Sequence, residues 1–301
     1  MKRLFLYVLL SIFILHPCSV GSEQYAVIKT EYAVIRFDAL LKGAADDVAE
    51  IYKGLTSELE NTLQWRSDFR PEILLIRENK IFQQMTGNSL FVAFAVPEKN
   101  LIVIDYSKMN THPFSLSVTL KHELCHLILH HHIRKNNLPK WLDEGICQWV
   151  SDGISELIID KRSVLNEAVI ADRLIPLNAL SNSFPKDKHS LTLAYEESKS
   201  IVEYIVKEFG RTSLLSLLNN LKNEVQLAEA IQNNLSLSFD GLEERWHLYL
   251  KNRITWFVYF SIHIYEIIFF AGALITIYGF IRLAIKKREY KDEEDEDEEI
   301  D

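Results

Sequence analysis

The segment His-Glu-Leu-Cys-His, which spans residues 122–126, constrains this chain more than any other feature. It lies inside residues 116–133, where apolar side chains recur at helical spacing. Residues four apart lie on one face of an α-helix, so His122 and His126 can reach a single metal ion. Glu123 is rotated by about 100° around the helix, which places its carboxylate beside that ion. The pattern predicts part of a zinc site for hydrolysis, although chance produces the same motif on helices with surface histidines.

A catalytic zinc ion needs a third protein ligand, which is commonly a carboxylate. Glu144 follows in residues 139–150, where Pro139 and the apolar spacing predict a second helix. Its distance from His126 along the chain allows the first helix to end, the chain to turn and the second helix to return past the metal. Gly145 costs helix propensity of about 1 kcal/mol, a cost that is understandable if a backbone or a substrate must approach closely there. The alternative for Glu144 is a solvated carboxylate on a helix surface.

These two segments resemble the gluzincin metallopeptidases and, more narrowly, the peptidase MA-like domain. The specific motifs are His-Glu-Leu-Cys-His and Leu-Pro-Lys-Trp-Leu-Asp-Glu-Gly-Ile, at residues 122–126 and 138–146. More diffuse similarity extends the resemblance over residues 25–250, with matching stretches at residues 175–180, 193–198, 204–210 and 242–250.

The resemblance implies a complete catalytic set around one Zn²⁺ ion. The implied metal ligands are His122, His126 and Glu144. Glu123 is then the general base, and Tyr195 supplies a phenol that hydrogen-bonds the oxyanion. The family usually has a small or hydroxyl-bearing residue where this chain has Cys125 and a small residue where it has Cys147. This departure concerns the packing of the helices near the zinc ion and not the ligand set.

Three other side chains near the motifs have open interpretations. Cys125 and Cys147 remain as an even pair if an N-terminal signal is removed, and an exported protein could join them in a disulfide. Two small buried thiols are the alternative. His130 shares the face of His126 and could be a fourth ligand, but such a ligand would close the position that catalysis needs open. An exposed histidine at the helix end is the expectation.

Both ends of the chain indicate export and membrane attachment. Residues 1–21 read as a signal peptide, with Lys2 and Arg3 before a short apolar run. Residues 254–285 read as a transmembrane helix, because their apolar stretch is long enough for a bilayer core of ~30 Å and basic residues follow it. The basic flank predicts a cytoplasmic C-terminus and a periplasmic catalytic domain, in a single-pass protein of the cell membrane.

The C-terminal residues 286–301 hold four basic and ten acidic side chains, a net charge of −6 out of −9 for the whole chain. Such a self-repelling acidic run predicts a disordered cytoplasmic tail. The remainder has no basic stripe and no nucleic-acid motif, so we expect no nucleic-acid partner. The expected partners are a peptide or protein substrate and the membrane.

The order of elements predicts an α+β fold for residues 22–253, and the resemblance to the gluzincins implies that this fold is zincin-like. Strands are expected within residues 25–37 and at residues 72–77, and a hairpin joins residues 90–96 to residues 101–106. A helix is expected at residues 39–65, and nearly everything after residue 113 reads as helical. The fold class is thus a small N-terminal mixed sheet with helices, an active-site helix, a mainly helical C-terminal half and one transmembrane helix.

The sequence therefore predicts an exported, membrane-tethered zinc metallopeptidase, in which a zinc-activated water and a glutamate base hydrolyse peptide bonds. The alternative is a non-catalytic periplasmic binding or scaffold domain on a peptidase fold, because a fold by itself does not prove chemistry. A third interpretation makes the acidic tail the functional part, with the exported domain acting as a sensor.

Overall fold

The computed structural model describes residues 25–87, 89–109, 111, 114–152 and 163–298. These residues form two compact units. The first contains the described residues up to Leu165 together with Ile175–Asp240, and the second contains Asn166–Leu174 and the chain from Gly241 onward. The expected signal peptide, residues 1–21, lies outside the described residues, whereas every candidate site residue lies in the first unit.

Five short strands form one mixed sheet in the first unit. In chain order they are β1 (Ala26–Lys29), β2 (Val34–Phe37), β3 (Glu72–Ile76), β4 (Ala93–Val96) and β5 (Leu101–Asp105). Their spatial order is β1-β2-β3-β5-β4. Strands β2, β3 and β5 are parallel, and β1 and β4 each pair antiparallel with a neighbour. The predicted hairpin is β4 with β5, which makes β4 an edge of the sheet.

Burial along the strands shows why these residues form a covered sheet. In β2, Ile35 and Phe37 are buried and Arg36 between them is exposed, which is the alternation of a strand with one buried face. In β5, residues Ile102 to Asp105 are all buried, as expected for a parallel strand with both faces covered. Helix α1 (Lys42–Leu63) packs on β2, and the short helix α2 (Asn79–Thr86) packs on β3 and β5.

The helical half positions the candidate site. Helix α3 (Leu116–His132) packs against α1, β4 and β5, and helix α4 (Lys140–Ser151) returns alongside it. The next helix along the chain is α5 (Val164–Ile170), whose residues from Asn166 onward belong to the second unit. The remaining helices of the first unit are α6 (Leu177–Asn182), α7 (Lys188–Phe209), α8 (Arg211–Lys222) and α9 (Leu227–Leu235). Because α4 packs against both α3 and α7, side chains of three helices can meet at α4. The α+β architecture expected from the sequence is confirmed.

The last helix, α10 (Phe239–Glu298), is continuous over 60 residues. It contains Ile264–Leu283, which is long and apolar enough to cross a membrane and is 0% buried. The structure also differs here from the expectation of a disordered acidic tail, because residues 286–298 are helical. Glutamate has good helix propensity, and extending an existing helix avoids the cost of nucleation. In the second unit, Lys251 of α10 pairs with Asp172 at 2.8 Å.

Candidate metal centre

His122 and His126 lie on the same face of α3, as the four-residue spacing predicts. Both side chains are buried, and their Nε2 atoms are 3.2 Å apart. The ring planes are 74° apart, and the short distance between the Nε2 atoms shows that the two nitrogens converge on a common point. Glu123, which follows His122 in the sequence, is 1% exposed and therefore lies inside the protein.

Helix α4 brings Glu144 to the same point. Its Oε2 atom is 3.4 Å from His126 Nε2 and 3.7 Å from His122 Nε2. The three potential ligand atoms all lie within 4.8 Å of one another, and all three residues are buried. Glu144 Oε2 accepts no hydrogen bond from any described residue, although it is fully shielded from solvent. A buried carboxylate oxygen facing two imidazole nitrogens is costly unless a cation lies between them, so the residues fit a zinc ion.

The other oxygen of Glu144, Oε1, has different partners. It accepts a hydrogen bond from Lys140 Nζ and lies 3.4 Å from the Tyr195 hydroxyl of α7. Burial would raise the pKa of Glu144, but the charge of Lys140, followed by that of His126, holds the pKa below its usual range. The carboxylate is therefore ionised, with Oε1 fixed by neighbouring side chains and Oε2 directed at the histidines.

The structure thus brings together four of the five candidate site residues, and it buries the fifth, Glu123, one position after His122. Tyr195 is 3% exposed, and its ring packs edge-on against Phe184 with 5.2 Å between the centroids. The hydroxyl consequently points toward the Glu144 side of the site rather than toward solvent. The candidate ligands and the candidate base come from α3 and α4, and the candidate phenol comes from α7.

Gly145 explains how α4 can lie so close to α7. A Cβ atom at this position would meet the Ser198 carbonyl oxygen at 2.2 Å and Val202 Cγ2 at 2.7 Å. Real side chains do not tolerate such distances, and the nearest atom belongs to a backbone that cannot rotate away. The close backbone approach anticipated at Gly145 is therefore present, and the missing side chain allows Glu144 and Tyr195 to share the site.

Asp143 was not singled out in the sequence, yet it contacts a candidate ligand directly. Its Oδ1 atom is 2.7 Å from His126 Nδ1, the ring nitrogen that faces away from the metal position. A carboxylate on this nitrogen fixes the orientation and the tautomer of a ligating imidazole. Burial by itself would lower the pKa of His126, but the carboxylates of Asp143 and Glu144 raise it well above its usual value. The sequence signal for Asp143 is its position directly before Glu144, on the turn of α4 that faces α3.

His122 has a weaker counterpart of this contact. The buried hydroxyl of Ser151, near the end of α4, lies 3.5 Å from His122 Nδ1. Each candidate histidine ligand therefore presents Nε2 to the common point, while its Nδ1 faces a polar side chain of α4. The rings are consequently oriented for metal binding by the protein itself.

Cys125 and Cys147 are both free and fully buried. Burial, and then a hydrogen bond with the Cys125 thiol, raise the pKa of Cys147 well above its usual value. Of the two alternatives considered from the sequence, a disulfide or two buried thiols, the structure therefore has the two buried thiols, which lie on α3 and α4. A raised thiol pKa disfavours the thiolate, which is the form that binds metals and attacks disulfides.

Comparison with known proteins identifies the family. The profile of the Peptidase MA superfamily matches residues 76–252, which is more than half of the 301-residue chain. This protein therefore belongs to the Peptidase MA superfamily, and the matched region contains α3, α4 and α7 in full. The sequence matches none of the curated proteins.

Similar solved structures include aminopeptidase A of Legionella pneumophila in complex with aspartic acid, with a TM-score of 0.46 and 13% sequence identity. That alignment covers 75% of this chain and 28% of the aminopeptidase. Native yeast LTA4 hydrolase aligns with a TM-score of 0.46 and 9% identity, over 76% of this chain and 37% of the hydrolase. This chain thus spans well under half of the length of both proteins.

Proposed function

We propose that this protein is an exported, membrane-tethered zinc metallopeptidase. The observation that carries the proposal is the convergence of two imidazole nitrogens and one carboxylate oxygen, all buried and within 4.8 Å of one another. Two histidines and one glutamate form a ligand set of catalytic zinc, which leaves the fourth position open. Membership of the Peptidase MA superfamily supports the same chemistry.

The side chains around the metal position suit peptide hydrolysis. A zinc ion held by His122, His126 and Glu144 would acidify water and polarise the carbonyl group of a peptide bond. Glu123 accepts the proton of the attacking water and then passes it to the leaving amine. The Tyr195 hydroxyl donates a hydrogen bond to the oxyanion as negative charge develops on it. Both residues are buried, which strengthens these interactions relative to water.

Membrane attachment is proposed through α10. The segment Ile264–Leu283 exposes large apolar side chains, among them Phe269, Phe270 and Phe280. Exposed surface of this kind is stable in a bilayer and unfavourable in water. Arg282 and the basic residues that follow it support a cytoplasmic location for this end of the helix, which in this proposal makes the peptidase domain extracytoplasmic.

Substitution of the base tests the catalytic role directly. Glu123→Gln should retain zinc, because its side chain is not a ligand, and should abolish cleavage of a peptide library. Glu144→Gln should weaken zinc retention, because a neutral amide is a poorer zinc ligand than a carboxylate. Zinc content and peptide cleavage are measured on the purified full chain in detergent.

The outcomes separate the proposal from its alternative. Cleavage that persists in Glu123→Gln at the wild-type rate would remove Glu123 from the mechanism. Zinc binding without cleavage of any peptide, in the wild type as in the variant, would favour the non-catalytic binding or scaffold domain. Unchanged zinc content in Glu144→Gln would remove Glu144 from the ligand set.

A further inference from the structure

His130 lies at the end of α3 and has no role among the proposed metal ligands or as the proposed base. Its Nε2 atom lies 2.9 Å from Asp143 Oδ2, and the side chain is 14% exposed. The other oxygen of the same carboxylate, Oδ1, contacts His126 Nδ1 at 2.7 Å. One buried carboxylate therefore joins two imidazoles that lie one helical turn apart on α3.

We propose that His130 is a positioning residue that fixes the Asp143 carboxylate and, through it, the His126 ring at the metal. The inference rests on the proposed zinc site. It adds His130 to the chain of contacts that runs from the metal position through His126 to Asp143.

The geometry of a carboxylate explains why a second contact matters. With only Oδ1 engaged, the Asp143 carboxylate can rotate about its last torsion, and its hydrogen bond to His126 weakens as the angle changes. A donor on Oδ2 removes this freedom. It also satisfies an oxygen of a residue that is only 5% exposed, which would otherwise lose its hydration without compensation. His130 thus preserves the angle at which His126 Nε2 is presented to the metal.

The neighbouring histidine provides a matched contrast. His131 pairs with Asp68 at 2.7 Å, a distance similar to that of the His130 pair. Its side chain is 35% exposed and that of Asp68 is 76% exposed, so water screens this pair. Among the described residues, the contacts of His131 are with Asp68, Phe69 and His132, and none of them reaches Asp143 or His126. A substitution at His131 therefore perturbs the same helix end without reaching the metal position.

A competing role for His130 is metal ligation. His126, His130 and Asp143 also bring one potential ligand atom each within 4.8 Å of one another. In that arrangement the carboxylate would bind a second ion instead of accepting hydrogen bonds from the two imidazoles. The number of zinc ions bound per chain distinguishes the two roles.

The experiment compares His130→Leu, His130→Gln and His131→Leu with the wild type, using the full chain in detergent. Zinc affinity is measured by competition with a chromogenic chelator, and the ligand field is followed in the visible spectrum of the Co²⁺-substituted protein. Loss of a side chain that supports a zinc-binding histidine typically lowers zinc affinity by about 10- to 100-fold. Because His130 acts one contact further out, we expect a loss of about tenfold in His130→Leu, at the lower end of that range.

The glutamine variant separates positioning from simple packing. The amide nitrogen of glutamine can donate to Asp143 Oδ2 as Nε2 of the imidazole does. His130→Gln should therefore recover most of the zinc affinity and the wild-type Co²⁺ spectrum, and His131→Leu should change neither.

Three results would overturn the inference. Equal zinc affinity and identical Co²⁺ spectra in His130→Leu and the wild type would show that His130 does not support the ligand. Binding of two zinc ions by the wild type, falling to one in His130→Gln, would make His130 a ligand. A wild-type chain that binds no zinc would overturn the proposed function as well, whereas the first two results leave that proposal intact.

Discussion

The substitution Gly145→Ala provides a quantitative test of how α4 and α7 build the site. The new Cβ atom would lie 2.2 Å from the Ser198 carbonyl oxygen and 2.8 Å from the Ser198 carbonyl carbon. Neither atom can move unless the whole turn of α7 moves, so the two helices must separate. Overpacking in a core costs about 1–3 kcal/mol, and a clash with backbone belongs at the upper end of that range.

Alanine also stabilises a helix relative to glycine by about 1 kcal/mol. The net loss in the free energy of unfolding should therefore be about 2 kcal/mol, which lowers Tm by about 4–8 °C for a domain of this size. Separation of the helices also displaces Glu144 from the histidines, so zinc affinity should fall in the same variant. Thermal unfolding followed by near-ultraviolet circular dichroism, in the absence and presence of zinc, measures both effects on the detergent-solubilised chain.

Gly54→Ala in α1 is the matched control, because no atom lies within 4 Å of a Cβ placed there. In this variant alanine improves the helix propensity and its Cβ atom meets no other atom, so Tm should rise by about 2–4 °C. A Gly145→Ala chain that melts at or above the wild-type temperature, as Gly54→Ala should, would refute the argument that the absence of a side chain sets the distance between α4 and α7.

Three further predictions concern pH, the metal and the thiols. Burial raises the pKa of Tyr52 to about 12 from its ordinary value of 10.0, so the stability that the neutral phenol contributes is complete below pH 10 and is lost between pH 10 and pH 12. Denaturant titrations should show a loss of about 3 kcal/mol over that range that is absent in Tyr52→Phe, and equal losses in the two chains would contradict the assignment. Asp143→Ala should lower zinc affinity by about 10- to 100-fold in chelator competition, and an unchanged affinity would exclude it as a support for His126. Cys125 and Cys147 should resist alkylation in the folded chain and react in denaturant without prior reduction, whereas an intact mass two hydrogens below the reduced mass would indicate a disulfide.

The sequence was sufficient to predict the main elements that carry the site. The four-residue spacing of the two histidines and the separation to Glu144 follow from helix geometry, which is local and periodic. The β4–β5 hairpin was likewise predictable, because two apolar runs flank a short turn at Pro97–Lys99. In each case the information lies in neighbouring residues or in one repeating pattern.

The contacts of Asp143 were not predictable in the same way. Its role depends on the rotation of α4 relative to α3, which is set by packing between the helices. Such packing does not produce a repeating pattern in the sequence. The same holds for His130, which the sequence placed at an exposed helix end and the structure places against a buried carboxylate. Gly145 was identified as a site of close approach, but its partner, Ser198, is distant along the chain.

The helical acidic tail differs from the expectation for another reason. Charge repulsion within residues 292–299 predicts disorder for an isolated segment. In the protein the segment continues α10, so helix nucleation has already occurred in the apolar part. The composition of the acidic segment alone does not show that it continues an existing helix.

Zinc K-edge X-ray absorption of the purified full chain tests the central claim most directly. We expect one tightly bound zinc ion with two imidazole nitrogens at about 2.0–2.1 Å, a carboxylate oxygen at about 2.0–2.2 Å and a position open to solvent. A sulfur shell at about 2.3 Å, which would bring Cys125 or Cys147 into the coordination sphere, would contradict the ligand set. A chain that retains no zinc after purification and reconstitution would contradict the metal centre itself.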